Sequence, residues 1–470
     1  MGENEYKPGN KIAFAIGALS DSISYQTFTF LIFTFYFAVI GINVNLITIG
    51  FILWSVWNAI NDPIAGFISD RTNTRWGRRI PYIAITFIPL SALMLFLWTP
   101  PFFDLNLSYL YFLVVIMIFD AIYTANSLNL TSLFPEMYLD ESERASANNL
   151  RQIFLIIGLL IAFVTPTIFI SDLSAKETAR EIVISQYQLA GIVLAIIVAI
   201  GYMICLKWGV RERKEFSRDN LGTPDWWEAF KHTLSNRAFQ WFLICNTMNW
   251  YVFGLLPTII PLYGQFVLGI DPGESIILGL LLGIAFIFGA VFVNFWKAVA
   301  NRIGDLRKTW MLSMALWIVT LIPFLLIGDV IIAFVTFAVV GIGLSGSLYL
   351  KDLIVSDIVD DDEIQTGVRR EGAYYGTNAL IMRLAVILVF ISINLVFNSV
   401  GWTVFTPETV TLEVLLGLRL LMAVFPGIAL AIGIVAISRY PLHGDRLKEM
   451  KEKQAELHKR KKAETQELPT

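Results

Sequence analysis

Cysteine is scarce: Cys205 and Cys245 are the only two in 470 residues. Two thiols cannot build a disulfide framework, and nothing is spaced like a zinc site. Histidine is almost as rare, and His232, His443 and His458 all fall in polar connections or tails. A histidine proton relay inside an apolar stretch is therefore excluded. Charged residues make up only 16% of the chain, where soluble domains carry roughly 25%. A net charge of −3 gives no basic footprint for nucleic acid. The absence of a Gly-Lys dipeptide excludes a P-loop, and the absence of His-Glu-x-x-His excludes the usual zinc protease. A soluble enzyme, a disordered regulator and a DNA-binding protein are all disfavoured.

Apolar residues are abundant, at 56%, with 35 Phe and 13 Trp. A helix needs about 20 apolar residues to cross a bilayer. Twelve stretches qualify: 12–40, 46–69, 80–99, 107–133, 149–170, 186–206, 239–267, 275–296, 309–327, 330–355, 373–399 and 412–438. The first is too long for the apolar core of a signal peptide and is expected to be retained. Lys and Arg avoid the odd-numbered connections, where only Lys176 and Arg180 occur. That bias predicts both termini on the cytoplasmic side.

The chain reads as an all-α membrane protein of twelve transmembrane helices in two pseudo-symmetric six-helix bundles. Residues 1–206 form the first bundle, 207–238 a central cytoplasmic loop, 239–438 the second bundle, and 439–470 a charged cytoplasmic tail. Each half has a basic loop after its second span, with Arg75-Trp76-Gly77 and Arg302-Ile303-Gly304 lying 227 residues apart. Duplicated halves around a midplane site are the pattern of an alternating-access transporter. The tail, ending in a run of Lys and Arg, reads as a solvated helix.

Charges at membrane depth are costly and mark function. The acidic candidates are Asp21, Asp62 and Asp120, and the basic ones are Arg151, Arg383 and Arg419. Asn58 and Asp62 are four residues apart and share a helix face. Their oxygens and a nearby Thr would suit Na⁺, a desolvated Asp62 would carry H⁺, and a salt bridge holding a gate is the simpler alternative. Arg151 and Arg383 come from opposite halves and would grip a solute between them, or would pair with the buried acids. Span four adds a polar stripe including Tyr123, Thr124 and Ser127, and span seven adds Asn246, Asn249, Trp250 and Tyr251. Gly341-x-Gly343-x-x-Gly346 in span ten reads as close helix packing rather than a nucleotide fingerprint.

The run Asp62-Pro63-Ile64-Ala65-Gly66-Phe67-Ile68-Ser69-Asp70-Arg71-Thr72, continuing to Arg75-Trp76-Gly77-Arg78-Arg79, resembles the glycoside–pentoside–hexuronide:cation symporters of the major facilitator superfamily. Phe134-Pro135-Glu136, the segment from Asp357 to Gly372, and Tyr440-Pro441-Leu442 extend the resemblance over about residues 8 to 445. The resemblance implies cation binding or coupling at Asn58, Asn61, Asp62 and Thr124, and solute binding at Asp21, Ser22, Tyr123, Ser127, Thr131, Arg151 and Arg383. A cytoplasmic gate is expected from Asp70, Arg71, Arg75, Arg78, Asp357, Asp360 and Arg369, the basic loops pairing with Asp70, Asp357 and Asp360. No cofactor is implied, and the coupling ion is H⁺ or Na⁺. The partners are a small solute and membrane lipid, with no nucleic acid, and a monomer is expected.

The chain departs from the family pattern. Asn58, Ser22 and Ser127 stand where acids are expected, and Thr131 stands where an aromatic stacks on sugar. Acids lost and both arginines kept favour an anionic solute, such as a hexuronide, with H⁺ or no cation. An uncoupled uniporter is the first alternative. A lysolipid or amphiphile transporter is the second, in keeping with the Phe-rich first span (Phe28, Phe30, Phe33, Phe35, Phe37). A non-transporting receptor or scaffold is the third.

Overall fold

The structure is a computed structural model that describes residues 8–72, 74–101, 103–138, 140–212, 226–367 and 370–467. The first half contains α1 (Lys11–Thr34), α2 (Val44–Arg71), α3 (Ile80–Phe96), α4 (Leu105–Met137), α5 (Glu141–Phe169) and α6 (Arg180–Ile204). A short helix, α7 (Trp226–Ser235), lies in the central loop. The second half contains α8 (Arg237–Phe266), α9 (Ile276–Val291), α10 (Val293–Ile303), α11 (Leu306–Leu321), α12 (Val330–Thr366), α13 (Glu371–Ser399) and α14 (Leu412–Ser438). The tail forms α15 (Gly444–Glu467). Polar caps start many of these helices. The side chains of Asn10, Asn43, Asp104, Asn236 and Asp329 each accept from backbone N–H groups of the first turn.

Among the described residues, ten helices are long and apolar enough to cross a membrane. The shorter α3 is an eleventh crossing. The bent pair α9 and α10, angled at 40°, makes the twelfth. The expected single span at 275–296 is thus corrected to two segments. They break at Phe292, and Trp296 Nε1 donates to the Ile342 carbonyl at 2.6 Å, pinning α10 to α12. The internal repeat is visible in the backbone. Gly77 (φ 107°) and Gly304 (φ 66°) both take left-handed conformations just before α3 and α11, a geometry that favours glycine.

Small residues set the helix contacts, as expected between membrane helices. A Cβ on Gly341 would lie 2.2 Å from the Ala285 carbonyl of α9, and one on Gly343 would lie 2.5 Å from Trp317 of α11. The span-ten glycines are packing residues. Gly341→Ala is expected to cost about 1–3 kcal/mol by overpacking. A thermal-unfolding midpoint in detergent clearly below wild type checks it.

The phenylalanines of the first span do not face lipid. Phe28, Phe30, Phe33, Phe35 and Phe37 are at most 1% exposed. Phe33 and Phe37 instead meet Phe397 of the other half, with ring centroids 6.2 and 5.2 Å away. This removes the main sequence argument for an amphiphile transporter. The exposed apolar belt is mainly aliphatic, with side chains such as Ile85, Ile88, Leu326 and Ile331, and includes Phe67, Phe96 and Phe295.

Among the described residues, the α1–α2 and α13–α14 connections lie on one face of the molecule and the first turn of α1 lies at the other. The halves are sealed on the first of these, the far face. There the Val44 N–H donates to the Thr403 carbonyl at 2.9 Å, and Asn394 and Asn398 both donate to Asn45. Gln265 donates to Asp172 at 2.9 Å, and Ser275 to the Ser171 carbonyl at 2.7 Å. Among the described residues, the cross-half hydrogen bonds and ring contacts run from mid-depth to this far face.

Candidate functional site

Asp120, Tyr123, Thr124 and Ser127 of α4 sit at i, i+3, i+4 and i+7, so they form one stripe. That stripe faces α1 and α2 and organises two clusters. In the first, Tyr123 donates to Asp21 Oδ2 at 3.2 Å, and Ser127 donates to the Tyr123 hydroxyl at 3.4 Å. Asp21 Oδ1 is buried without a hydrogen-bond partner. The Arg151 guanidinium lies 5.5 Å from the centre of the Phe134 ring. Tyr25 of α1 stacks on Tyr123, with centroids 5.2 Å apart.

In the second cluster, Arg383 of α13 donates to Asp62 Oδ2 at 2.6 Å, crossing between halves. Thr124 donates to the other Asp62 oxygen at 2.9 Å. The pair is open to solvent on one side, with side-chain exposures of 24% and 28%. Asn58 does not join Asp62. Its amide donates to Asp120, as does that of Asn61 at 3.2 Å. Asn58 Oδ1 is left buried and unpartnered.

Several expectations are therefore revised. Asp62 and Thr124 do meet, but Asn58 and Asn61 serve Asp120, a membrane-depth acid to which the family resemblance assigns no role. Three acids now face two arginines, so the charge argument for an anionic solute falls. The Ser22 hydroxyl is taken by the Leu155 carbonyl at 2.9 Å, so it braces α1 against α5. Thr131 is exposed. Of the span-seven residues, Asn246 and Asn249 bond within the second half, Tyr251 bonds Ser392, and Trp250 lines a central cavity.

The expected gate pairing is also corrected. Asp357 and Asp360 are bridged by Lys451 of α15, at 2.5 and 3.2 Å. Burial disfavours the Lys451 ammonium, but the Asp357 and Asp360 carboxylates outweigh it and raise its pKa above the ordinary value. Arg78 and Arg79 reach Glu136, at 2.7 and 3.0 Å. Arg71 stacks on Phe67, and Arg75 on Trp76. The Asp70 side chain and Arg369 lie outside the described residues. The physical reason is the state of the molecule: the halves meet at the far face, so these groups find partners in their own half.

Glu212 was not foreseen. Its carboxylate accepts from the backbone N–H of Arg78 at 2.7 Å and of Arg79 at 3.0 Å, capping α3. Glu212→Ala is expected to lower stability by about 1–3 kcal/mol, since it strands buried donors. A matching fall in the unfolding midpoint checks it.

A family profile described as MFS/sugar transport protein matches residues 13–444. The chain belongs to this family. It is 26% identical to an uncharacterized symporter of Synechocystis sp., covering 92% of this chain and 94% of that one. It is 23% identical to the isoprimeverose transporter of Lactiplantibacillus pentosus, over 77% and 74%. It is also 23% identical to the sodium-dependent lysophosphatidylcholine symporter 1 of Gallus gallus, over 84% and 79%. Among solved structures, a bacterial homologue of the human lysosomal transporter Spinster, described as inward-facing and unoccupied, matches with a TM-score of 0.65. It is 15% identical over 92% of this chain and 96% of that one. The protein is a multi-pass secondary transporter of the major facilitator superfamily, not an enzyme.

Proposed function

We propose that this transporter couples a neutral sugar to Na⁺ by symport. The observation that carries the reading is the Asp62–Arg383 ion pair across the halves, beside Asp120 and the unpartnered Asn58 Oδ1. Oxygen donors from Asp62, Asp120, Asn58 and Thr124 are the ligand type a hard cation takes. Asp62 cannot hold Na⁺ and Arg383 equally at once. Cation binding therefore frees Arg383, which turns its planar, multi-donor guanidinium to solute hydroxyls. Solute and ion then favour each other's binding through a shared competitor, and the reciprocity is thermodynamic.

The positive-inside bias assigns the face at the first turn of α1 to the cytoplasm. The arrangement described is then the inward-open state, and rocking of the halves would expose the same site outward. The isoprimeverose relative supports a sugar, and the symporter relatives support coupling.

Uptake into proteoliposomes tests the reading. Neutral sugars, uronates and lysolipids are each run under a Na⁺ gradient, under an H⁺ gradient and with neither. Accumulation of a neutral sugar under Na⁺ alone is expected. Accumulation under H⁺ alone reassigns the ion, equilibration without accumulation makes the protein a uniporter, and transport restricted to uronates or lysolipids rejects the solute.

A further inference from the structure

The charged tail is docked on the second half rather than solvated on all sides. Tyr440 and Leu442, just past α14, and Met450 of α15 are all buried. Arg307 donates to the Ser438 carbonyl at 3.0 Å, and the Arg439 guanidinium lies 5.2 Å from the centre of the Trp241 ring. These contacts fix where α15 begins.

The helix that receives it, α12, continues to Thr366. Asp357 and Asp360 lie three residues apart near that end and share a helix face. Both are buried. The Lys451 ammonium spans them, at 2.5 and 3.2 Å. Buried carboxylates are costly without a cation beside them. The tail supplies that cation from within the same half.

The basic loop of the first half shows the complementary condition on the same face of the molecule. Arg71 and Arg75 are exposed, and their guanidinium groups rest on the rings of Phe67 and Trp76. Among the described residues, neither has a carboxylate partner. Two buried acids are thus held by a tail lysine, while two loop arginines across the cleft have only ring contacts. Rocking that closes this side brings the loop toward the end of α12. The same carboxylates cannot hold Lys451 and the loop arginines equally at once.

We infer that α15 is a built-in brake on closure of the cytoplasmic side. Lys451 occupies Asp357 and Asp360 in the open state, and Arg71 and Arg75 take those carboxylates only as Lys451 leaves them. Closure then exchanges one cation for others, so the tail favours the open state and opposes the return step. This rests on the inward-open reading above.

The test follows the separation of the halves on this side. Ser142, at the start of α5, and Asn301, near the end of α10, are exposed. Both are replaced by Cys and spin-labelled in the full chain, while Cys205 and Cys245 are buried and stay unlabelled. Double electron–electron resonance in lipid nanodiscs, with neither Na⁺ nor solute, reads the ratio of long to short distances. The long distance is expected to dominate in wild type. Lys451→Gln is expected to shift the ratio at least about tenfold toward the short distance. Lys451 is half-exposed on a helix outside the bundle, so this variant folds. Lys451→Arg keeps the cation and is expected to stay within about twofold of wild type. Adding Arg71→Gln and Arg75→Gln to Lys451→Gln removes the replacement partners and is expected to restore most of the long distance.

An unchanged ratio in Lys451→Gln, an equal shift in Lys451→Arg, or a shift that persists without Arg71 and Arg75 overturns the inference while the inward-open reading stands. A dominant short distance in wild type contradicts the inward-open reading, and the inference falls with it.

Discussion

Asp62→Asn is expected to abolish Na⁺-driven accumulation, with the initial rate falling at least about 100-fold and the internal solute only equilibrating. Asparagine retains the shape of the side chain and an acceptor oxygen, so Thr124 keeps its bond. It removes the charge that, in the proposed cycle, alternately holds Arg383 and the ion. Arg383 is then a partly buried cation without a counter-ion, and losing one partner of such a pair costs about 3–5 kcal/mol. Counterflow of labelled against unlabelled solute separates coupling from folding. Residual exchange without accumulation places the defect in coupling, and wild-type accumulation would remove Asp62 from the mechanism.

Asp120→Asn is the second large effect. Asp120 receives both amide groups of Asn58 and Asn61, and it is the second full negative charge beside the cross-half pair. Its removal is expected to raise the half-saturating Na⁺ concentration by roughly 100-fold, a change of about 2–3 kcal/mol. The maximal rate at saturating Na⁺ should fall far less. Initial uptake rates across a Na⁺ series, with ionic strength held by choline, check this. An unchanged Na⁺ dependence would return Asp120 to a purely structural role.

The architecture was largely legible in the sequence because membrane crossings require long apolar runs and the basic loops repeat. The expected spans correspond to the helices, and Gly77 and Gly304 both take positive φ in the two loops. The break at Phe292 was not legible, since no proline marks it. Asp62 and Arg383 were both singled out, and their pairing was one of two readings left open.

The role of Asp120 was missed, although its i, i+3, i+4, i+7 relation to Tyr123, Thr124 and Ser127 was visible in the sequence. The acid of this stripe stands at Asp120, two turns before Ser127, where the family pattern expects one. Ser22 was misread because one residue along a helix turns the side chain by about 100°, here toward the Leu155 carbonyl rather than the cavity. The expected gate pairings are not made in this state for a different reason. Which acid meets which base depends on the access state, and sequence alone does not specify one. Lys451, in a tail that reads as merely solvated, takes the acids Asp357 and Asp360 in this state.

In the proposed cycle, Na⁺ and Arg383 compete for Asp62. Calorimetric Na⁺ titration of wild type and Arg383→Gln, both without solute, tests it most directly. Removing the competitor is expected to tighten Na⁺ binding about tenfold, within the usual 5–150-fold range of coupling between sites. Unchanged or weaker Na⁺ binding in Arg383→Gln would contradict the account.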